Sequence, residues 1–268
     1  MALTLTYPEG GMLVIGGTGS VGGGIVRALA KAGVPLAFTY RGNKEKAEAF
    51  ETELRSEGAK VWALAMDMGD TGSIEAAMER VVAECGGIHG LAIGAGPMVS
   101  FEKLMDFPVE EAVRFVNEDA MGYFRLFHAV TPLLRARGGG SITTCSTFAN
   151  RKILVYDGIS PLSKGSVEAM VRYVAAEEGP NNIRCNAVGI GWIQPGNQDF
   201  SQIPPKPDVE PEDQLGRMLV LMREIVDMTK IRRNGTPEDA GNLFAFLASN
   251  EASYLTGQII DIDGGLAL

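Results

Sequence analysis

Short apolar runs alternate with longer amphipathic stretches along the whole chain, and this alternation constrains the fold more than any other feature. The apolar runs are GMLVIGG, VPLAFTY, KVWALAMD, IHGLAIGAG, SITTCS, IRCNAVGIG and GQIIDIDGG. Such runs, separated by helical segments, are typical of parallel strands joined by crossover helices. The sequence therefore predicts an α/β fold with a parallel sheet, built as one domain over residues 1–268.

The amphipathic stretches predict the helices. They cover residues 21–33, 44–58 and 73–87, and a long helical stretch follows at 107–136. Serine is a preferred N-cap residue and proline a preferred first helical residue, so Ser160 and Pro161 predict the start of a helix that runs to about Glu178.

The charge balance and the lack of long apolar segments exclude several classes of function. The net charge is −9, and no basic cluster offers the footprint that a nucleic-acid site needs. No window of about 18 apolar residues is present, and the start MALTLTYPEGG does not resemble a secretory signal. Three widely spaced cysteines indicate reduced thiols. We therefore expect a cytoplasmic protein with a small-molecule partner, no nucleic acid and no membrane.

A glycine-rich turn follows the first predicted strand. In VIGGTGSVGGGIV, Gly17, Gly19 and Gly22 stand in G-x-G-x-x-G register, and Gly16, Gly19 and Gly22 satisfy the related G-x-x-G-x-x-G spacing. Glycines at a strand-to-helix turn permit close backbone approach, and the amides at the helix start face a pyrophosphate. The predicted dinucleotide-binding residues of this turn are Gly16, Thr18, Gly19, Ser20, Val21 and Gly22.

The end of the second predicted strand indicates which dinucleotide binds. An acidic residue there binds the ribose hydroxyls of NAD, whereas arginine suits the extra phosphate of NADP. The sequence reads Tyr40, Arg41, Gly42, Asn43, Lys44, without an acid. Since a guanidinium binds phosphate through two parallel hydrogen bonds, Arg41, with Lys44 as a second cation, favours NADPH, and NADH is the alternative. Asp67 is predicted at the adenine edge.

Residues 194–230 interrupt the economical α/β pattern with a segment rich in proline and acids that leads into a Met- and Leu-rich helix. Long insertions of this kind are often functional lids, and surface excursions or subunit contacts are the alternative. The predicted apolar wall of the lid is formed by Leu215, Met218, Leu219, Met222 and Ile225, which favours a hydrophobic substrate.

The motifs GGTGSVG, MDMGD, IRCNAVGIGWI, NGTPEDAGNLFAFLAS and YLTGQIIDIDGG together resemble the short-chain dehydrogenase/reductase family over nearly the whole chain. The resemblance implies a single-domain Rossmann-type fold, a doubly wound parallel sheet with helices on both faces. It also implies hydride transfer from a nicotinamide cofactor and assembly as a homodimer or homotetramer. Further cofactor-binding positions implied by it are Met68, Gly94, Ala95, Gly96, Lys164, Gly191 and Ile193.

The catalytic residues depart from the family pattern. Members usually have an asparagine, a serine that polarises the carbonyl group, a tyrosine that acts as general acid or base, and a lysine four residues after it. Lys164 matches the lysine. Ser160 stands in the tyrosine position and Thr147 in the serine position, while Asp119 replaces the asparagine. The resemblance therefore leaves the proton donor open.

Three proton donors are candidates. The sequence around Lys164 resembles the enoyl-acyl-carrier-protein reductase branch, in which the tyrosine precedes the lysine by seven residues; Tyr156 precedes Lys164 by eight, and Gly158 gives the intervening turn freedom. Ser160 is a far weaker acid than a phenol, whose ordinary pKa is ~10, and N-capping explains it without catalysis. A water ordered by Lys164 is the third candidate.

The remaining polar candidates have structural alternatives. Ser146 or Thr147 is predicted to donate a hydrogen bond to a developing oxyanion, or else to cap the end of its strand. Asp119 is equally consistent with a catalytic role and with a buried, hydrogen-bonded one. His89 and His128 lack the partner spacing of metal ligands, so no metal site is expected.

Three functions compete. The first is NADPH-dependent hydride transfer to a hydrophobic carbonyl substrate. The second is reduction of an activated C=C bond, as in an enoyl thioester, which better tolerates a displaced tyrosine because the proton goes to an enolate. The third is a nucleotide-sensing or scaffold protein that has lost catalysis, since the Tyr-x-x-x-Lys pair is missing.

Overall fold

A seven-stranded parallel sheet forms the centre of the molecule. The computed structural model describes residues 4–206 and 210–268. The strands are β1 (Gly11–Ile15), β2 (Leu36–Tyr40), β3 (Val61–Ala65), β4 (Ile88–Ile93), β5 (Gly140–Thr147), β6 (Ile183–Ile190) and β7 (Ile259–Ile262). Their order across the sheet is β3-β2-β1-β4-β5-β6-β7, and every pairing is parallel. The predicted fold class is confirmed.

Eight α-helices accompany these strands in the described part of the chain. They are α1 (Ser20–Lys31), α2 (Lys44–Ser56), α3 (Thr71–Cys85), α4 (Val109–Glu118), α5 (Ala120–Ala136), α6 (Ile159–Glu178), α7 (Gln214–Met228) and α8 (Pro237–Ala248). None of the described helices is both long and apolar enough to cross a lipid bilayer.

Two boundaries differ from the prediction. The single helix expected over 107–136 is two helices, because the backbone turns at Asp119 (φ −86°, ψ −79°) between α4 and α5. The helix expected to begin after Ser160 begins earlier, and its N-cap is Gly158. The interpretation of Ser160 as the N-cap is therefore wrong. Pro161 fits in the first turn because the first four helical N–H groups have no intrahelical partner.

Two apolar cores, one on each face of the sheet, hold the helices in place. One face is covered by α1, α2 and α8 through residues such as Ile25, Leu54 and Phe244. The other is covered by α3, α5 and α6 through residues such as Met78, Leu126 and Val171. The direction of chain progression reverses between β1 and β4, and the crevice at the carboxyl ends of such strands is where open α/β sheets bind ligands.

Candidate active site

The glycine-rich turn between β1 and α1 is closely packed. Gly16 has a φ of 77°, and its carbonyl oxygen accepts a hydrogen bond from the Gly19 amide (2.9 Å). A β-carbon on Gly22 would lie 2.1 Å from that same oxygen, so only glycine fits there. Gly19 caps α1 without a side-chain hydrogen bond. The first amides of α1 therefore remain available to an anion at the positive end of the helix.

A cavity of about 1020 Å³ lies beside this turn. Ten of the sixteen residues predicted to bind the cofactor line it. The size and position of this cavity suit a large ligand. These ten are Gly16, Thr18, Gly19, Tyr40, Arg41, Asp67, Met68, Gly94, Ala95 and Gly96.

The other six predicted cofactor residues lie outside the lining of this cavity. Ser20 lines a second cavity of about 700 Å³ on the other side of the turn. Gly191 packs against the backbone of Asp263, and Ile193 pairs with Gly235 beyond the end of β6. The remaining three are Val21 and Gly22, in the first turn of α1, and Lys164, on α6.

Two parts of the cavity surroundings were not predicted from the sequence. The wall opposite the turn comes from α4 and α5 and consists of Val109, Glu110, Val113, Arg114, Asn117, Glu118 and Arg125. Two exposed valines four residues apart on one helix face, Val109 and Val113, were the available signal. In addition, the Lys46 ammonium donates a hydrogen bond to the Thr18 carbonyl oxygen (2.7 Å), which fixes a second cation beside the turn.

At the end of β2, Arg41 lies exposed in the cavity lining. Among the described residues its guanidinium has no ion-pair or hydrogen-bond partner, whereas Lys44 lies 3.5 Å from Glu48. Asn43 instead caps α2 by accepting from the Lys46 amide (2.9 Å). Arg41 is thus a cation in the cavity lining without an ion-pair partner among the described residues.

Lys164 belongs to a buried polar cluster beneath Gly96. Its ammonium donates to Asp119 Oδ1 (2.7 Å) and to the Tyr123 hydroxyl (2.9 Å), and Ser163 Oγ donates to Asp119 Oδ2 (2.7 Å). The side chain of Asp119 is 1% exposed and that of Lys164 13%. A β-carbon on Gly96 would lie 3.3 Å from Asp119 Oδ1 and 3.8 Å from Lys164 Nζ, so this cluster borders the cavity.

Tyr123 is a member of this cluster that sequence reasoning missed. Burial, with a further contribution from the Asp119 charge, raises the pKa of its phenol well above the ordinary value. Its hydroxyl donates to the Ala95 carbonyl oxygen (2.6 Å) and its ring lies 4.0 Å from the Lys164 ammonium. Tyr123 therefore stays neutral and positions Lys164.

Ser160 lies one helical turn before Lys164 and donates a hydrogen bond to Asp157 Oδ1 (2.6 Å). Burial raises the pKa of the Asp157 carboxyl to about 6, and the hydrogen bond from Ser160 partly opposes that increase. Asp157 was not among the residues predicted from the sequence.

Tyr156 and Lys164 share no hydrogen bond in the described part of the chain. The Tyr156 hydroxyl contacts Glu210 Oε1 at 3.4 Å, and the Glu210 carboxylate is paired with Lys103. The tyrosine is buried, and its backbone has a φ of 75°, a conformation that is rare for a bulky residue. The chain reverses here, directly before Asp157.

The hydroxyls at the end of β5 form hydrogen bonds within the protein. Buried Ser146 donates to Glu168 Oε1 (2.6 Å), which also accepts from Asn150 (2.7 Å) and Arg151 (3.1 Å). Thr147 Oγ1 accepts from the Ala149 amide (3.2 Å), the strand-end capping that was one of its two predicted roles.

The predicted lid lies on the loops that follow β4 and β5, and its residues 207–209 fall outside the described part. Gln214 accepts from the Phe101 amide (2.8 Å), and Arg217 pairs with Glu102 (2.5 Å). Of the predicted apolar wall, Leu215 is exposed and Ile225 buried. The half-buried members are Met218, Leu219 and Met222. An apolar cluster joins α7 to the loop after β5 and to the segment after β7. Its buried members are Phe148, Leu154, Leu221, Ile225 and Leu266.

The two histidines are not part of these polar clusters. His89 is buried in β4, and burial lowers its pKa to about 4, so it is neutral near pH 7. His128 stacks on Phe124 along α5. Within residues 4–206 and 210–268, no group of three or more His, Cys, Asp or Glu is arranged to hold a metal ion.

Comparison with known proteins gives matches along nearly the entire chain. A family model described as enoyl-(acyl carrier protein) reductase matches residues 16–267. The versicolorin reductase stcU of Emericella nidulans is 28% identical over 257 residues, 94% of each chain. The 3-oxoacyl-(acyl-carrier-protein) reductase FabG of Staphylococcus aureus is 27% identical over 254 residues, 95% of this chain and 96% of that one.

A solved structure extends the similarity to three dimensions. A blue fluorescent protein from a metagenomic library, determined in complex with NADPH, superposes with a TM-score of 0.79 at 26% identity. The match covers 97% of this chain and 99% of that one.

Proposed function

This chain belongs to the short-chain dehydrogenase/reductase family and is an NAD(P)-dependent oxidoreductase, and on that premise we propose that it reduces a hydrophobic carbonyl substrate with NADPH. The cofactor, when bound, supplies the hydride that adds to the carbonyl carbon. The chain's own residues bind and orient that cofactor, exclude water and hold the proton.

The glycine-rich turn and the neighbouring cavity fit a dinucleotide. The close contact of Gly22 with the Gly16 carbonyl oxygen leaves no room for a side chain on Gly22. The backbone amides at the start of α1, which no side chain caps, suit a pyrophosphate. The Lys164 ammonium beside Gly96 suits the nicotinamide ribose. The observation that carries the choice of NADPH is Arg41, an exposed guanidinium without a counter-charge among the described residues.

Replacing Arg41 by alanine should lower the affinity for NADPH about 10- to 100-fold, because a charge-assisted contact contributes roughly 1.5–3 kcal/mol. The affinity for NADH should change less than about twofold, since NADH has no 2′-phosphate for the guanidinium to bind. Quenching of reduced-nicotinamide fluorescence measures both. Arg80→Ala, which removes a cation paired with Glu84 on α3, is the control. An equal loss for both cofactors would contradict the proposal.

An apolar surface beside the site supports a hydrophobic substrate. Phe101, Trp192 and Met228 pack against the cluster that joins α7 to the loop after β5. We propose that residues 194–230 act as a lid that contributes this surface and excludes water from the reacting atoms.

The sequence offered three candidate proton donors: Tyr156, Ser160 and a water ordered by Lys164. The Glu210 contact of the Tyr156 hydroxyl favours a source nearer Lys164. Lys164 itself is paired with Asp119, which fixes the ammonium in one position for contact with a ribose.

Reduction of a C=C bond is the second candidate, favoured by the description of the family model that matches residues 16–267. The name of the Staphylococcus aureus relative, a 3-oxoacyl reductase, favours the carbonyl. Purified protein with NADPH should oxidise the cofactor with a panel of hydrophobic ketones and 3-oxoacyl thioesters, and not with the matching enoyl thioesters. Turnover of the enoyl panel alone would replace the first function by the second. Tight NADPH binding with no turnover on either panel would favour the nucleotide sensor.

We also propose a homodimer or homotetramer. Large apolar side chains are exposed on neighbouring helices α5 and α6, and a second copy of the chain would cover them. They are Met121, Phe124, Leu162 and Tyr173. Light scattering of the purified protein tests this assembly.

A further inference from the structure

The N-terminal turn of α6 presents a hydroxyl and a carboxyl group as a hydrogen-bonded pair. Ser160 Oγ and Asp157 Oδ1 are 2.6 Å apart. Ser160 is four residues before Lys164, so the two side chains lie on the same helix face. The Lys164 ammonium borders the cavity at Gly96. The same face of α6 therefore directs Ser160 toward the carboxyl edge of the sheet, one turn from Lys164.

A serine hydroxyl alone is a poor proton donor, since it is a much weaker acid than even a phenol. In the structure the Ser160 hydroxyl donates to the Asp157 carboxylate. When the carboxyl group is protonated, it can donate to the serine oxygen instead, and the hydroxyl then loses its own proton to the substrate as it gains another. The pair needs only that the carboxyl group be protonated and that solvent reach it. Both Asp157 and Ser160 are partly exposed.

We propose that Ser160 is the catalytic proton donor and that Asp157 acts through it as the source of the proton. This inference rests on the proposed function. The hydride adds to the carbonyl carbon, and the C=O π electrons move to the oxygen, as the nicotinamide is oxidised. The Ser160 hydroxyl proton passes to that oxygen, and the Asp157 carboxyl proton passes to Ser160 Oγ. Asp157 is left as a carboxylate and is protonated again from solvent.

The surroundings of Asp157 keep it close to the required protonation state. Burial raises its pKa to about 6, which brings the carboxyl near neutral pH. Several charged side chains on the elements around it form ion pairs with other residues. These pairs are Glu102–Arg217, Lys103–Glu210 and Lys164–Asp119. Asp106, on the same segment as Glu102, is exposed and has no ion-pair partner among the described residues. The strained turn at Tyr156, whose carbonyl oxygen accepts from the Glu102 amide (3.1 Å), directly precedes Asp157.

The test combines activity with a property of the free protein. Single-turnover reduction by the wild type should be fastest below about pH 6 and fall tenfold per pH unit above it, because only protonated Asp157 supplies the proton. Alcohol oxidation should show the opposite dependence, rising to a plateau above about pH 6. Ser160→Ala should lower the rate of reduction about 100- to 10,000-fold, the usual range for a general acid. Asp157→Asn should lower it about 100-fold and flatten the pH profile.

Carbon-13 NMR of the aspartate carboxyl groups measures the pKa of Asp157 without substrate or cofactor. The wild-type pKa should be about 6, and Ser160→Ala should raise it, because the serine hydrogen bond stabilises the carboxylate. NADPH fluorescence titration should give affinities within about twofold of the wild type for both variants, since neither group binds the cofactor phosphates. Ser166→Ala and Asp106→Asn, exposed positions on α6 and in the loop before α4, are the matched controls.

The outcomes separate the two proposals. Wild-type turnover with an unchanged rate in Ser160→Ala, or an unchanged pH profile in Asp157→Asn, would overturn the relay and leave the proposed function intact. An Asp157 pKa near the ordinary value of ~3.9 would also overturn it. Loss of reduction in Tyr156→Phe but not in Ser160→Ala would give the proton to the phenol. No wild-type turnover of any carbonyl compound would overturn the proposed function and the relay together.

Discussion

Asp119→Ala should lower the free energy of unfolding by about 3–5 kcal/mol, the cost of removing one partner from a buried ion pair. The Lys164 ammonium would lose its only carboxylate partner among the described residues and keep the Tyr123 hydroxyl, 2.9 Å away. Ser163 Oγ, fully buried, would lose the acceptor of its hydrogen bond. Guanidinium denaturation followed by far-ultraviolet circular dichroism, at fixed protein concentration, measures the change.

Two further variants identify the cause. Glu118→Ala, one residue earlier, removes a carboxylate whose pair with Arg114 (3.0 Å) is solvent-exposed, and should cost at most about 0.5 kcal/mol. Asp119→Leu combined with Lys164→Met replaces the buried pair by apolar groups of similar size, and should recover most of the lost stability. A loss below about 1 kcal/mol in Asp119→Ala, or a double variant no more stable than the single one, would show that the ion pair is not what holds this region.

The sequence was sufficient to predict the sheet and most helices because those signals are local. GMLVIGG and IHGLAIGAG are short apolar runs, and both form central strands, β1 and β4. The break at Asp119 was invisible because the apolar periodicity continues across it, from Val116 to Tyr123. Asp119 lies at this break, and its carboxylate pairs with Lys164, 45 residues away, a contact that no local pattern reveals.

The same distinction applies to the candidate site. The cofactor-binding part of the site could be predicted, because Gly16 and Gly22 contact each other within a single turn and Arg41 directly follows β2. Tyr123 could not, because its role depends on contacts to Ala95 and Lys164 on other elements. Ser160 was interpreted as an N-cap from its type and from Pro161, yet the helix starts earlier and the hydroxyl bonds backward to Asp157. Local propensity indicated a helix start and missed the acid beside it.

Gly22→Ala should lower the affinity for NADPH at least about 100-fold. The new β-carbon would lie 2.1 Å from the Gly16 carbonyl oxygen and 3.2 Å from the Gly17 amide nitrogen, and both are backbone atoms that cannot turn aside. The turn must open, which moves the amides at the start of α1 away from the pyrophosphate. Loss of two charge-assisted hydrogen bonds costs about 3 kcal/mol, and this corresponds to the stated factor. Fluorescence titration with NADPH measures it.

Gly23→Ala, at the adjacent position of the same helix, separates this contact from a general need for glycine. A β-carbon there would lie 3.4 Å from the Gly17 carbonyl oxygen, an ordinary van der Waals distance, and its φ is not positive. Because alanine loses less conformational entropy than glycine in a helix, this variant should bind NADPH normally and gain up to about 1 kcal/mol of stability. Equal losses of NADPH affinity in the two variants would indicate that the flexibility of the turn controls binding, and not the close approach of Gly22 to Gly16.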